Sequence, residues 1–306
     1  MQASKKPYRI TTYLFYILIT ALVIGFLSLH FVAPKLILGP HIHPGINNSA
    51  ELGIKIESVS VAIEDNQTLE GFWVNSEQDT TYGIMILVHG IGGNKESFLG
   101  LSKRLAKLGV ATVSFDNRAH GFSGGEHCTY GFKEKEDISK IIDFIHSKDP
   151  SLKVGIWGNS LGGAIAIQSL EIDSRISFGV IESTFTDLSQ IVFDYKKRIF
   201  KGFGIRALSD YVLNRAGKMA GFDPNGVSPI ESVKKISQPV LIAHGNSDDN
   251  IHFKYGKQLH QALSSKEKVF VEVENGEHSG LFITGGQKYI DQTMNFIARQ
   301  LDFDYR

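Results

Sequence analysis

One cysteine, Cys128, stands among 306 residues, so no intrachain disulfide can form and no cage of several thiolates can hold a metal. That lone thiol permits an oxidising compartment without indicating one. An excess of either charge is missing too: Lys plus Arg and Asp plus Glu each total 32. No net field is available to draw in a polyanion, and binding of DNA or RNA is not indicated. Neither an internal repeat nor a low-complexity tract is visible.

Charge also vanishes locally. From Ile10 through Pro34 there is no Asp, Glu, Lys or Arg, and Tyr13 to Val32 is almost wholly apolar. At about 1.5 Å per residue such a helix crosses ~30 Å of hydrocarbon, so residues 10–33 read as a transmembrane helix. Lys5, Lys6 and Arg9 precede it and only Lys35 follows closely, which keeps a tail of residues 1–9 cytoplasmic and exports the rest. A cleaved signal peptide would have a shorter apolar run ending in a small-x-small site, and Ser28-Leu29-His30-Phe31 offers none. A soluble surface helix would carry a polar face.

Pro34, Pro40 and Pro44, with Gly39, Gly45 and Asn47-Asn48 among them, punctuate residues 34–57. They are expected to form a juxtamembrane linker that propagates neither helix nor sheet. His41-x-His43 within it offers half of a metal site, but no carboxylate or cysteine stands near to complete one. A solvated loop is expected there.

The remaining length suits one large α/β domain, placed at residues 58–306. Ser58 to Ile63 and Leu69 to Val74 flank a polar turn and read as a hairpin. Strand candidates follow at Ile84 to Val88, Ala111 to Phe115, Val154 to Trp157, Phe178 to Ile181, Val240 to Ala243 and Val269 to Val273. Helical patterns lie between most of them, at Glu96 to Lys107, Phe132 to His146, Ala164 to Leu170, Tyr255 to Leu263 and Gln287 to Phe303. A hairpin followed by repeated βα units implies a mostly parallel sheet with helices on both faces. One interval breaks this rhythm. No strand pattern occurs between Glu182 and Val240, while Ile191, Val192, Tyr195, Ile199 and Phe203 fall at roughly helical spacing. A helical cap at about 184–227 is expected, roofing the carboxyl edge of the sheet. Its Lys196, Lys197, Arg198, Lys201 and Arg206 form either a solvated face or a surface leaning on anionic lipid.

Gly158-Asn159-Ser160-Leu161-Gly162 follows a strand and opens a small-residue helix, as a nucleophile elbow does; the tight turn needs glycine on either side of an exposed serine. A serine hydroxyl needs a base, and in these elbows the chain order is serine, acid, histidine. Asp248, just past the strand ending at Ala243, is the candidate acid, with Asp249 and Glu182 as rivals able to reach the same histidine. His278, in the glycine-bearing loop after the last strand, is the candidate base. His244, His252 and His260 are expected to be packing or surface residues. The glycine-rich turn His89-Gly90-Ile91-Gly92-Gly93-Asn94 supplies an oxyanion hole, with the backbone N–H groups of Ile91 and Leu161 as donors. His127-Cys128 is expected in a surface loop.

The ordered set H-G-x-G-G-N, D-x-R-x-H-G-x-S (Asp116 to Ser123), G-x-S-x-G, H-G-x-x-D and G-x-H resembles α/β-hydrolases of the serine-aminopeptidase-like, membrane-anchored bacterial type. The resemblance covers Ser58 to the C-terminus, and many such proteins carry glycine where Ala119 stands. It implies an eight-stranded sheet, no cofactor or metal, and hydrolysis of an ester, amide or thioester through an acyl-enzyme. It also implies that Asp116, Arg118 and His120 brace the strand-to-loop turn.

The reading is therefore a serine hydrolase acting on a small-molecule or lipid acyl ester. Its triad is Ser160, Asp248 and His278, and its domain is held outside the cytoplasm. An acyltransferase or peptidase would use the same residues, and a binding module without turnover would not need them. Oligomeric state is not legible.

Overall fold

The computed structural model describes residues 6–40, 45, 49–199 and 201–305. The His41-x-His43 pair and the first five residues of the expected tail lie outside the described residues.

Eight strands form one sheet: β1 (Glu57–Ala62), β2 (Thr68–Val74), β3 (Gly83–Val88), β4 (Val110–Phe115), β5 (Val154–Asn159), β6 (Ile176–Glu182), β7 (Val240–Gly245) and β8 (Lys268–Val273). Their order is β1-β2-β4-β3-β5-β6-β7-β8. The β1–β2 and β2–β4 pairings are antiparallel, and β3 through β8 run parallel. At the edge, β1 alternates exposed and buried positions. The central β3 and β4 are buried at every position, as a strand covered on both faces must be.

The helices in chain order are α1 (Lys6–Leu27), α2 (Ala33–Leu38), α3 (Ser49–Leu52), α4 (Leu99–Lys107), α5 (Glu134–Lys148), α6 (Leu161–Ile172), α7 (Leu188–Ile199), α8 (Arg206–Ala220), α9 (Pro229–Ser232), α10 (Lys254–Ala262), α11 (Leu281–Thr284) and α12 (Gly286–Leu301). Ile138, Ile141, Ile142 and Ile145 of α5, Ile165 and Leu170 of α6, and Leu259 of α10 share one core with the sheet. Leu101 and Leu105 of α4 and Met294, Phe296 and Ile297 of α12 build a second core with residues of the opposite face. Each such side chain contributes about 1.5–3 kcal/mol when fully buried. This is the α/β-hydrolase fold. Because β3 to β8 are parallel, the loops that follow them emerge along one carboxyl edge.

The N-terminal apolar helix extends further than expected. After α1 come a π-helical turn, Ser28–Val32, and then α2. Pro34 does not stop the chain there because it lies in the first turn of α2, where its missing N–H is not needed. Leu38 is fully buried in a cluster with Leu213 and Ala216 of α8 and Ile191 and Val192 of α7. The Cys128 N–H donates to the Leu38 carbonyl at 2.8 Å, and the Tyr130 hydroxyl donates to the Ile37 carbonyl at 2.6 Å. The expected linker is thus partly helical and packed. Cys128 is fully buried rather than in a surface loop, and burial pushes its thiol well above its ordinary range.

The loop after β3 is fixed by buried polar groups. Asp116 Oδ1 accepts the Lys95 N–H at 2.7 Å, and its Oδ2 accepts Lys95 Nζ at 2.6 Å and the Phe122 N–H at 2.9 Å. Arg118 forks onto Asp137 at 2.9 and 2.6 Å. His89 Nε2 accepts the Asn117 N–H at 2.9 Å, which leaves Nδ1–H to donate to the Gly90 carbonyl at 2.7 Å. Burial, assisted by His120, lowers His89 from 6.5 to about 4, so the ring is neutral at ordinary pH.

Two outcomes follow. Leu38→Ala should cost about 2–5 kcal/mol of stability, as a truncation in a packed core does; urea titration in detergent measures it, and a loss under half a kcal/mol would return residues 33–38 to a passive linker. For His89 the folded pKa lies below the unfolded one, so its contribution is complete above 6.5 and is lost as pH falls towards 4. Imidazole NMR signals of His89, assigned through a His89→Gln variant, should therefore stay at their neutral positions down to about pH 5.

Candidate active site

Strand β5 ends in a turn whose geometry leaves little choice of residue. Ser160 takes φ 56° and ψ −117°, a conformation that costs a non-glycine residue about 1–3 kcal/mol and is kept only where the surroundings enforce it. A Cβ on Gly158 would lie 2.1 Å from the Gly162 carbonyl oxygen, and one on Gly162 would lie 1.9 Å from that of Val88. Only glycine fits at either position, because the obstructing atoms are backbone. The Ser160 N–H donates to the Glu182 carbonyl at 2.9 Å, tying the turn to the end of β6.

The structure brings the three expected side chains together. His278 Nε2 lies 3.0 Å from Ser160 Oγ, and His278 Nδ1 lies 2.8 Å from Asp248 Oδ2. Asp248 Oδ1 accepts the N–H groups of Asn250 and Ile251, each at 2.8 Å. His244 Nε2 sits 2.8 Å from the Ile251 carbonyl and 3.2 Å from Asp248 Oδ2. Burial works to raise the Asp248 carboxyl, but hydrogen bonds from His244, His278 and the Ile251 N–H outweigh it and hold the group far below its ordinary range. Asp248 is ionised and acts only as an acceptor. His244 was expected to be a packing or surface residue; it is fully buried and positions the carboxylate. The H-G-x-x-D spacing, which puts it four residues before Asp248, was the available signal.

The rivals occupy other surroundings. Asp249 is exposed, and its backbone carbonyl accepts from Arg198 at 3.0 Å. Glu182 is buried, accepts the Tyr289 hydroxyl, and has its carboxyl pushed up by burial.

Leu161 is the first residue of α6, so its N–H has no intrahelical acceptor and points out of the helix N-terminus. Ile91 lies in the loop after β3. A Cβ on the neighbouring Gly90 would sit 3.2 Å from Ser160 Cβ, which shows how closely that loop approaches the serine.

Gly90 and Asn159, flanking Ser160, open into a cavity of about 670 Å³. Ile91, Phe98, Leu101, Leu281, Phe282 and Ile283 supply its apolar walls, and His89, Ser97, Arg104, Asn159, Glu182 and Ser279 its polar groups. The expected roof is not what lines it. Among the described residues, none between 184 and 227 borders the cavity. The insertion is two helices, α7 and α8, whose Leu188, Ile191, Val192 and Leu213 pack on Ile251 and Tyr255 beside the acid loop. That packing takes up Ile191 and Val192 of its apolar face and leaves Phe203 exposed. No cluster of three or more His, Cys, Asp or Glu side chains suited to a metal occurs among the described residues.

The sequence pattern of the family described as "Serine aminopeptidase, S33" matches residues 79–201, a span that includes Ser160 but neither Asp248 nor His278. The uncharacterized protein YqkD of Bacillus subtilis (strain 168) is 27% identical over 230 residues, which cover 72% of this chain and 73% of that protein. The lysophosphatidylserine lipase ABHD12 of Xenopus tropicalis is 29% identical over 211 residues, 66% of this chain and 52% of the relative. This chain therefore spans about half the length of that lipase. Among solved structures, the Pyrococcus furiosus esterase Pf2001 superposes with a TM-score of 0.69 at 21% identity, covering 84% of this chain and 97% of the esterase. The fold together with these matches makes the chain an enzyme of the α/β-hydrolase superfamily, of the serine-hydrolase type.

Proposed function

We propose that the chain is a membrane-tethered hydrolase of acyl esters, with Ser160 as nucleophile, His278 as general base and Asp248 as its orienting acid. The observation that carries this is the unbroken relay from Ser160 Oγ to His278 Nε2 at 3.0 Å and from His278 Nδ1 to Asp248 Oδ2 at 2.8 Å. Ser160 Oγ attacks the acyl carbonyl while His278 Nε2 takes its proton. Asp248 fixes the tautomer with Nδ1–H towards itself and stabilises the imidazolium. The N–H groups of Ile91 and Leu161 receive the oxyanion. The C–O bond to the alcohol then breaks, and the alcohol leaves with the proton from His278. Water, deprotonated by His278, attacks the acyl-enzyme and releases the acid and Ser160.

Cavity walls of Ile91, Phe98, Leu101, Leu281 and Phe282 suit an apolar acyl group. The relative that is a lysophosphatidylserine lipase supports a lipid ester. So does α1, whose helical continuation Ile10–Leu38 is long and apolar enough to cross a bilayer. Lys5, Lys6 and Arg9 before it support a cytoplasmic N-terminus with the enzyme outside. A peptidase is the second reading, favoured by the family description over residues 79–201; an acyltransferase differs only in the acceptor that replaces water.

Ser160→Ala should abolish labelling by a fluorophosphonate probe. Asp248→Asn should reduce turnover by about 10⁴-fold, as loss of the correct tautomer does, while Asp249→Asn and Glu182→Gln remain close to the unmodified enzyme. A greater loss in either of the latter would move the acid role. Hydrolysis should rise from short to medium or long acyl esters, single-chain phospholipids included. Equal rates across acyl length, or preference for peptides with a free N-terminus, would defeat the lipid-ester reading and leave the triad standing.

A further inference from the structure

The corner between α7 and α8 leaves large apolar side chains in solvent: Phe203 is 82% exposed, Ile205 65% and Leu208 41%. Exposed apolar residues scattered singly need no explanation, but a cluster does. Its position supplies one.

Helix α8 is packed on the N-terminal helical segment. The Tyr211 hydroxyl lies 2.6 Å from His30 Nδ1, and the Tyr211 ring lies 6.5 Å from that of Phe26. Phe26 and His30 are one turn apart on one face. Leu208 and Tyr211, at i and i+3, likewise share the face of α8 that meets them. A helix entering hydrocarbon at Ile10 needs about 20 residues to cross it, so its far boundary falls near Leu29 to Phe31. Tyr211 therefore meets the helix at the level where the bilayer ends. Phe203 and Ile205, just N-terminal to that contact, lie beside the same boundary.

Charge agrees with this placement. Lys197 and Lys201 are exposed at the corner, whereas the acid nearest along α8, Asp210, is occupied by Arg206 at 3.3 Å. Apolar tips flanked by lysines are the chemistry of an interfacial anchor, burying about 5–10 Å into the headgroup and acyl boundary. Lysines there gain from anionic lipid.

We propose that the α7–α8 corner is a second membrane contact, with Phe203, Ile205 and Leu208 inserted into the leaflet where α1 ends and Lys197 and Lys201 set against anionic headgroups. This rests on the reading of α1 as a membrane span. Its consequence is orientational. One span alone leaves a domain free to rotate about the helix axis, whereas a span and a lateral anchor fix which side of the cap faces the lipid.

The test uses the full chain in nanodiscs containing anionic lipid, with single tryptophans added to the buried Trp73 and Trp157 and folding certified by retained esterase activity. Phe203→Trp and Ile205→Trp should emit to the blue of a solvent-exposed tryptophan and be quenched by lipids brominated near the headgroup end of the chain. Leu18→Trp should be quenched by lipids brominated deep in the chain. Ile172→Trp, at the opposite edge of the sheet, should be quenched by neither. If Leu18→Trp is quenched while Phe203→Trp and Ile205→Trp behave as Ile172→Trp does, the corner proposal is overturned and the tether stands. If Leu18→Trp is not quenched, both fall.

Discussion

Backbone meeting backbone at glycine is the constraint on which the rest of the site depends. At Gly162 the helix α6 touches the end of β3, at Gly158 the strand β5 touches the start of α6, and at Gly245 the end of β7 touches the loop before His278. Any side chain at these three positions would fall within about 2.2 Å of a carbonyl oxygen. Ser160, the loop that carries Ile91, Asp248 and His278 thus sit on or beside elements whose backbones approach one another directly at these glycines. This is also what holds Ser160 at φ 56°. The strain is offset by α6, which is buried along nearly its whole length and cannot move outward without opening the core.

Electrostatics follows from the same rigidity. Of the carboxylates buried near the carboxyl edge, Asp116 and Asp248 are saturated by donors that the fold supplies. Asp116 takes an ammonium and two backbone N–H groups, and Asp248 takes two backbone N–H groups and faces two imidazoles. A buried carboxylate is tolerable only with such a complement. Asp116 uses its donors to hold the loop that carries Ile91. Asp248 uses its own to present a fixed acceptor to His278. Glu182, by contrast, has Tyr289 as its hydrogen-bonding neighbour and burial pushing its carboxyl up, which is the wrong environment for a residue that must stabilise a cation.

Much of this was legible in the sequence because it is local. Apolar runs such as Gly83–Val88 bounded by turn residues mark buried strands, and a serine between Gly158 and Gly162 after such a run marks the elbow. The order serine, aspartate, histidine at strand ends then selected Asp248 and His278 from many candidates. What escaped was non-local. Six residues, Ala33–Leu38, are too few to show a period, and the surrounding prolines and glycines read as breakage, so the burial of Leu38 against α8 was invisible. The cavity walls escaped for the same reason: α4 and α11 are far apart in sequence, and only the assembly of the sheet between them brings Phe98 and Leu101 into one cavity with Leu281 and Phe282. The cap's apolar positions were readable as a face, but a hydrophobic pattern does not say whether that face meets a substrate or a neighbouring helix.

The packing of α7 and α8 changes how the N-terminal helical segment relates to the candidate site. Leu38 of α2, Leu188, Ile191 and Val192 of α7, Leu213 of α8, and Ile251 and Tyr255 belong to a single cluster. Ile251 is the residue whose N–H donates to Asp248 and whose carbonyl faces His244. The apolar core that seats the end of the N-terminal helical segment is therefore the same core that seats the acid loop. Contiguous packing is not evidence of signalling between the two. It does mean that the segment joining helix to enzyme is no interchangeable spacer: lengthening or breaking it at Ala33–Leu38 would remove apolar surface from the cluster that holds both Ile251 of the Asp248 loop and Ala164 in the first turn of α6.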